Sequence, residues 1–236
     1  MKKEIFIMIL FFSTSMVFSQ INKSDIIISG YGNYNQSTSG SGTYTNQYAV
    51  KGKYLDIGAS IGYFVKEHFI IGVGLDYMWS KEYSTNSSLI NVFYQVESMD
   101  YKSNILLPNV FFGYYYQIVN KLYINGNLKL NFGRLKSNYS TTYAGVTDII
   151  SDGQWVSESD YGFLFNYAKS YEGNSELDYL SVLFLPELTY FISSRFGLNL
   201  GLGGIGYSLT DWELDNSDWI VSFNPSYWKL GFKIRI

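Results

Sequence analysis

Alternation between large apolar and small or polar side chains is the feature that most restricts the fold of this chain. In residues 69–80 every odd position is apolar or aromatic, while the even positions include two glycines, an aspartate and a serine. The same period of two recurs in residues 122–133, 196–203 and 228–236. Successive side chains of a β-strand point to opposite faces, so this period is typical of strands. The sequence therefore predicts an all-β protein.

The composition of the two faces distinguishes a membrane barrel from a soluble β-protein. A soluble sandwich or lipocalin-like barrel usually carries many Lys and Glu on its exterior, but charged residues are only 16% of this chain and aromatic residues are 19%. Small polar side chains suit a narrow lumen, and aromatic side chains at strand ends, such as Phe69 and Trp79, suit the interfacial girdles. After residue 20, no stretch of 18 residues is apolar enough for a helical span. A transmembrane β-barrel is favoured.

Turn signals divide the chain into eight antiparallel strands, which predicts an up-and-down transmembrane β-barrel. Three connections are tight, at residues 66–68, 119–121 and 193–195, and the longest connection spans residues 139–175. Short turns of such barrels face the periplasm and long loops face outside, so both termini are expected in the periplasm. The predicted strands are residues 24–36, 48–65, 68–83, 90–118, 121–138, 176–193, 195–211 and 218–236.

Two kinds of residue predict local irregularities in these strands. Proline cannot donate to a strand ladder, so we expect a bulge or local widening at Pro108, Pro186 and Pro225. The pair Gly203–Gly204 also predicts a bulge, because the apolar row changes parity after it.

The first residues have the pattern of an export signal. Lys2 and Lys3 precede an apolar run that ends near Phe18, and the small Ser19 follows. This pattern predicts a signal peptide over residues 1–19 and an outer-membrane β-barrel domain over residues 20–236. The chain has no cysteine, so the export route brings no disulfide framework.

The closing strand and an internal repeat resemble a known family. Residues 62–69 resemble residues 189–196, and both segments are hairpins across a short turn. Residues 227–236 carry Trp228 and Phe232 on one face and end on Ile236, where an aromatic residue is typical. This pattern resembles small outer-membrane β-barrels of the porin family, such as the OmpX-like proteins and the transmembrane domain of OmpA. The resemblance implies a place in the outer membrane of a Gram-negative cell and recognition of the last strand by the barrel assembly machinery.

The parity of the strands places several charged side chains inside the predicted barrel. A lone charge in a narrow lumen is costly, so we expect acids and bases to pair there and to plug the lumen. The predicted charge network consists of Asp56, Asp76, Lys129, Glu187, Lys229, Lys233 and Arg235.

No pattern in the sequence predicts a catalytic, cofactor or metal site. The single histidine, His68, lies in a predicted periplasmic turn, where a solvated side chain is expected. The chain has no cysteine and no second histidine, so the ligand spacing of a zinc site is absent. The loop acids lack the spacing of a calcium loop, and they are interpreted as solvated residues. They are Asp148, Asp152, Glu158 and Asp160.

Three classes of function remain from the sequence. The favoured class is a structural or surface-interaction barrel, not an enzyme, that displays loops outside and has outer-membrane lipid as its neighbour. A narrow channel for ions or small solutes is the alternative, and an outer-membrane lipid hydrolase is less favoured. Trp155 and Tyr161 lie in the longest loop and are candidates for binding an extracellular ligand. No basic run suggests nucleic acid as a partner, and a monomer is expected.

Overall fold

The computed structural model describes residues 21–42, 46–90, 93–146, 150–151, 154–155, 167–210 and 216–236. The predicted signal peptide, residues 1–19, lies outside these residues, as do Tyr161 and the four loop acids considered for calcium. Within the described part of the chain, no helix is long and apolar enough to cross a membrane.

Strands dominate the described residues, and they pair as antiparallel neighbours. One short 3₁₀ turn, Pro225–Tyr227, interrupts them near the C-terminus. The strands are β1 (Ile26–Gly42), β2 (Asn46–Lys66), β3 (Phe69–Ile90), β4 (Phe93–Val119), β5 (Leu122–Val146), β6 (Ile150–Ser151), β7 (Gln154–Trp155), β8 (Tyr167–Phe191), β9 (Phe196–Gly201), β10 (Ile205–Thr210), β11 (Asn216–Val221) and β12 (Lys229–Arg235).

The sheet closes into an up-and-down barrel of eight spans. The strands β1 to β5 and β8 form one span each, β9 and β10 together form the seventh, and β11 and β12 together form the eighth. Closure comes from β12, which pairs with β9 on one side and with β1 on the other. The predicted eight-stranded antiparallel architecture is therefore confirmed.

The alternating residues of the sequence point to the outside and to the inside of the barrel. Leu75, Leu128 and Leu230 point outward and are 47%, 48% and 71% exposed, whereas Asn199 points inward and is buried. On β3 the outward apolar row runs from Phe69 to Trp79, which is ~33 Å along the strand at ~3.3 Å per residue. A tilt of ~40° turns this length into a band ~25 Å tall, the height of an outer-membrane belt.

The last predicted strand is not continuous. Residues 218–236 were expected to form one strand, but the 3₁₀ turn at Pro225–Tyr227 separates β11 from β12. Proline at the first position of the turn has no N–H to give to a ladder, and Asn224 caps the turn by accepting a hydrogen bond from the Ser226 N–H at 3.0 Å. Pro225 therefore breaks its strand instead of widening it.

The other predicted irregularities differ from one another. At Pro108 the ladder between β4 and β5 loses two pairs but resumes in the same register, so no bulge forms. Near Pro186, Gly201 pairs with Glu187 and Ile205 pairs with Phe184. Four residues of one span therefore match three residues of β8, which is a one-residue bulge. Gly203 lies in this bulge at a φ of +85°, a conformation that other residues rarely adopt. The bulge predicted at Gly203–Gly204 is present.

The spans continue far beyond the apolar belt. The five strands β2, β3, β4, β5 and β8 contain between 21 and 27 residues, whereas about 10 residues cross a membrane. Consequently the prediction of a loop over residues 139–175 was wrong at both ends: β5 and β8 pair up to Gly145 and Tyr167. Residues 37–42, which lie between the first two predicted strands, are exposed but are part of β1.

The outward belt generates a prediction. Leu128→Arg places a charge at mid-belt and should lower the free energy of unfolding in lipid vesicles by ~2–4 kcal/mol. Guanidinium titration measures this change. Asn138→Arg is the matched control, because Asn138 lies in the same outward row of β5 but ten residues further along; it should change stability by less than ~1 kcal/mol. Equal losses at the two positions would contradict the assigned belt.

Candidate functional site

Three ion pairs cross the middle of the lumen. Lys129 Nζ on β5 lies 2.7 Å from Asp76 Oδ2 on β3, and Lys233 Nζ on β12 lies 2.7 Å from Glu187 Oε2 on β8. Lys229 on β12 pairs with Asp56 on β2. In each case one strand lies between the two that supply the charges, because inward side chains of alternate spans face each other across so small a barrel.

These charges are withdrawn from water. Asp56, Asp76, Lys129 and Lys233 are between 1% and 7% exposed. The attraction between two such charges repays their desolvation only when further polar groups complete the geometry. Because these charges are buried so deeply, each is stable in the lumen only when it is paired.

Neighbouring polar groups complete the Lys233–Glu187 pair. Lys233 Nζ also donates to Tyr115 Oη at 2.8 Å, and Asn125 Nδ2 donates to Glu187 Oε2 at 2.9 Å. Thr189 Oγ1 in turn donates to Asn125 Oδ1 at 2.8 Å, which fixes the orientation of that amide. The result is a chain of hydrogen bonds that links β12, β4, β5 and β8 across the lumen.

The ring of Tyr31 separates the other two pairs. Lys229 Nζ lies 4.5 Å from the ring centroid and Lys129 Nζ lies 5.4 Å from it, both within cation–π range. A Cβ at Gly58 would collide with this ring and with the carboxylate of Asp76, so only glycine leaves room for the ring at this height. Tyr31 was not among the residues that the sequence singled out.

Arg235 lies outside this layer of charges. It was predicted as a member of the network, but its Nη1 is 3.8 Å from Asp25 Oδ2 at the end of the barrel that carries the tight turns. The start of β1 meets the end of the last strand there, since the Ile236 N–H donates to the Ile26 carbonyl at 2.9 Å. The structure thus brings six of the seven predicted charges together and places the seventh near the rim.

A layer of buried aromatic side chains, here called the aromatic floor, lies inside the barrel between the ion pairs and the tight turns. Its rings pack edge to face: the centroids of Phe64 and Tyr115 are 5.3 Å apart, and those of Tyr123 and Phe191 are 5.7 Å apart. A Cβ at Gly72 would collide with the ring of Phe111, so the absence of a side chain at Gly72 on the inner face of β3 leaves room for that ring. The buried cluster consists of Ile21, Ile27, Phe64, Ile70, Phe111, Tyr115, Tyr123 and Phe191.

Sequence reasoning missed this floor, although a signal for it was present. Phe64 and Phe191 occupy the same position of the hairpin repeat formed by residues 62–69 and 189–196. Both are inward and fully buried. The repeat therefore marks a structural element, the aromatic floor.

A cavity of about 340 Å³ lies on the other side of the ion pairs. Asp56, Asp76, Lys129 and Lys229 contribute to its lining, so the layer of charges bounds it on one side. The rest of the lining is mostly apolar or aromatic and includes Met78, Leu107, Tyr179, Leu183, Leu185, Ile220 and Tyr227.

The remaining predicted residues lie elsewhere. Trp155 belongs to β7, which pairs with β6 in a separate two-stranded sheet, and Tyr161 lies outside the described residues. His68 occupies a tight turn at a φ of +74°, and its ring lies 6.0 Å from that of Tyr114. Over the part of the chain that the structure describes, no group of His, Cys, Asp or Glu is placed to hold a metal ion.

The part of the sheet that continues beyond the apolar belt, here called the outer sheet, carries exposed charges. Arg134 pairs with Asp178 at 3.1 Å and Lys136 pairs with Glu176 at 3.1 Å, and all four side chains are more than half exposed. A hydrogen bond to Glu97 raises the pKa of Tyr143 above its ordinary value, because ionisation of the phenol would place two negative charges side by side. These contacts are exposed to solvent.

Comparison with known proteins finds similarity in structure alone. The N-terminal β-barrel domain of OprF from Pseudomonas aeruginosa matches 92% of this chain over 100% of its own, at 12% identity and a TM-score of 0.32. The outer membrane protein OprG from the same organism matches 93% of this chain over 99% of its own, at 13% identity and a TM-score of 0.38. Neither a protein family description nor a curated protein matches the sequence.

The buried pairs generate a prediction that separates pairing from charge. Lys129→Met leaves the Asp76 carboxylate buried without its partner and should lower the free energy of unfolding by ~3–5 kcal/mol. Adding Asp76→Leu to this variant should recover most of the loss, because no buried charge then remains unpaired. Both changes are measured by guanidinium titration in lipid vesicles.

The exposed pair on the outer sheet supplies the control. Arg134 lies on β5, the same strand as Lys129. Arg134→Met removes the partner of Asp178 and should lower the free energy of unfolding by less than ~1 kcal/mol. A double variant that is less stable than Lys129→Met alone would contradict the pairing requirement.

Proposed function

We propose that this chain is an outer-membrane β-barrel with a structural or surface-interaction role, that its lumen is closed to solutes, and that it catalyses no reaction. The observation that carries the proposal is the outward apolar belt on a closed sheet whose inward charges are paired. Exposed apolar or aromatic side chains on every span need a lipid environment, and a closed barrel leaves no unpaired edge within it.

The filled interior supports a barrel that does not conduct. Eight spans enclose a space that side chains can fill. Here the ion pairs occupy the middle and the aromatic floor occupies the end with the tight turns. A solute would have to displace both layers, which makes a narrow channel the second choice.

The outer sheet supports a role in surface interaction. The β1 segment from Tyr34 to Gly42 pairs only with β2, and the β8 segment from Tyr167 to Asp178 pairs only with β5, as far as the described residues go. Unpaired backbone N–H and C=O groups along such edges accept a strand from another protein. An extracellular protein that adds a strand to one of these edges is the partner class that fits.

The remaining partners follow from the belt and the last strand. Outer-membrane lipid covers the belt, and β12 with Trp228, Phe232 and Ile236 outward is the segment that we propose the assembly machinery recognises. A monomer suits a belt that is apolar on every span. No cofactor and no nucleic acid is needed.

Conductance in a planar bilayer tests the closed lumen. We expect the refolded protein to leave the current of the bare membrane unchanged in molar KCl, because the ion pairs and the aromatic floor leave no water column. A barrel of sixteen strands with a water-filled lumen serves as the positive control for insertion and recording. Steady single-channel steps from this protein would favour the channel instead.

Thiol labelling on intact cells tests the orientation. The chain has no cysteine, so Ser39→Cys on β1 and Ser194→Cys in a tight turn each introduce a single thiol at an exposed position. A membrane-impermeant maleimide should label Ser39→Cys on intact cells and Ser194→Cys only after the outer membrane is permeabilised. The reverse pattern would mean that the tight turns and the termini face outside.

A further inference from the structure

The wall of the barrel has a seam beside the cavity. The ladder between β1 and β12 ends at the pair of Gly32 and Leu230, and β11 pairs only with β10 among the described strands. Beyond the ladder, Asn33 Nδ2 donates to the Ser226 carbonyl at 3.0 Å and to the Trp228 carbonyl at 2.7 Å. One side-chain amide thus replaces the backbone ladder at this point of the wall.

The cavity lies against the inner side of the seam. Asn33, Ile220 and Tyr227 line the cavity from the two sides of the seam. On the outer surface the neighbouring Val221 and Phe223 are 65% and 49% exposed, so apolar side chains flank the seam from outside. A volume of about 340 Å³ falls in the range of small-molecule sites.

Three oxygen atoms in the cavity lining lack a hydrogen-bond partner within the described protein. They are Asp56 Oδ1, Asn131 Oδ1 and Asn199 Oδ1. Their side chains are only 1%, 1% and 6% exposed, respectively. Buried acceptors without partners are costly, so an occupant of this cavity gains most when it donates hydrogen bonds.

The charges of the lining argue in the same direction. Three carboxylates (Asp56, Asp76 and Glu187) and two ammonium groups (Lys129 and Lys229) line the cavity, and Glu187 is paired with Lys233, so every charge of the lining belongs to an ion pair. Both ammonium groups are already paired with carboxylates. An anionic occupant would find no free cation there, whereas a cationic or neutral donor meets unpartnered oxygens.

We propose that this cavity binds a small amphipathic molecule whose head group donates hydrogen bonds, an alkylammonium or an alkyl alcohol, and that the molecule enters sideways through the seam. Its head lies against Asp56, Asn131 and Asn199. Its apolar chain lies against the apolar part of the lining, which includes Leu183 and Ile220.

Three probes of equal chain length test the chemistry of the ligand. Hexylamine, 1-hexanol and hexanoate are titrated separately into the full chain in lipid nanodiscs, and binding is followed by NMR shifts of labelled Leu methyl groups. Hexylamine and 1-hexanol should bind saturably, and hexanoate should bind about tenfold more weakly or not at all, since it brings no donor. Equal affinity for hexanoate and hexylamine, or no saturable binding of any probe, would overturn the proposal.

Variants of matched asparagines locate the site. Asn199→Leu removes an acceptor of the cavity and should weaken 1-hexanol about tenfold. Asn199→Asp keeps the shape, adds a carboxylate and should strengthen hexylamine relative to 1-hexanol. Asn127→Leu is the control, because Asn127 Oδ1 is also buried without a partner but Asn127 does not line the cavity; it lines a smaller pocket of about 40 Å³, to which Asn199 also contributes. An equal effect of Asn127→Leu and Asn199→Leu would refute the location.

The entry route has its own measurement. Asn33→Ala removes the amide that holds the seam and should raise the association rate of hexylamine severalfold while leaving the preference over hexanoate intact. An unchanged association rate would overturn entry through the seam and assign it to the outer mouth of the barrel.

Discussion

The pairing of buried charges across alternate spans is the interaction on which the lumen depends. Lys129 and Asp76 lie on β5 and β3, with β4 between them, and either charge alone would be costly at such depth. Because each pair joins spans that do not touch through their backbones, it ties the barrel across its interior as well as around its wall. The glycines of the inner faces follow from this arrangement, since the rings and long side chains need bare backbone opposite them.

Much of the fold was predictable from parity, because a membrane belt and a crowded lumen impose opposite demands on alternate residues. That constraint placed Leu128 outside and Lys129 inside, and it located six of the charges that meet in the lumen. It says nothing about residues beyond the belt, where both faces are wet. There the backbone ladder and exposed cross-strand pairs continue β5 and β8 without an apolar row, so the predicted loop over residues 139–175 began too early and ended too late.

The parts of the site that the sequence did not predict depend on contacts between distant spans. Phe64 and Phe191 form one floor only because the barrel brings β2 and β8 to the same end of the lumen. Arg235 has the parity of a lumen base, but its position at the end of β12 leaves it beside Asp25. The parity of a residue in its strand predicts whether its side chain points inward or outward. Its height along the barrel axis also depends on the strand register and on bulges, and the bulge near Gly203 shifts the register by one residue.

The proposed closure of the lumen and the proposed entry through the seam are compatible for a physical reason. A gap in the outer half of a barrel with an open lumen would join the membrane to a water column and leave backbone groups unsatisfied in lipid. Here the aromatic floor and the ion pairs end the space below, and Asn33 supplies the two donors that the carbonyls of Ser226 and Trp228 need. A cavity that is sealed toward the tight turns can therefore open sideways without making the membrane permeable.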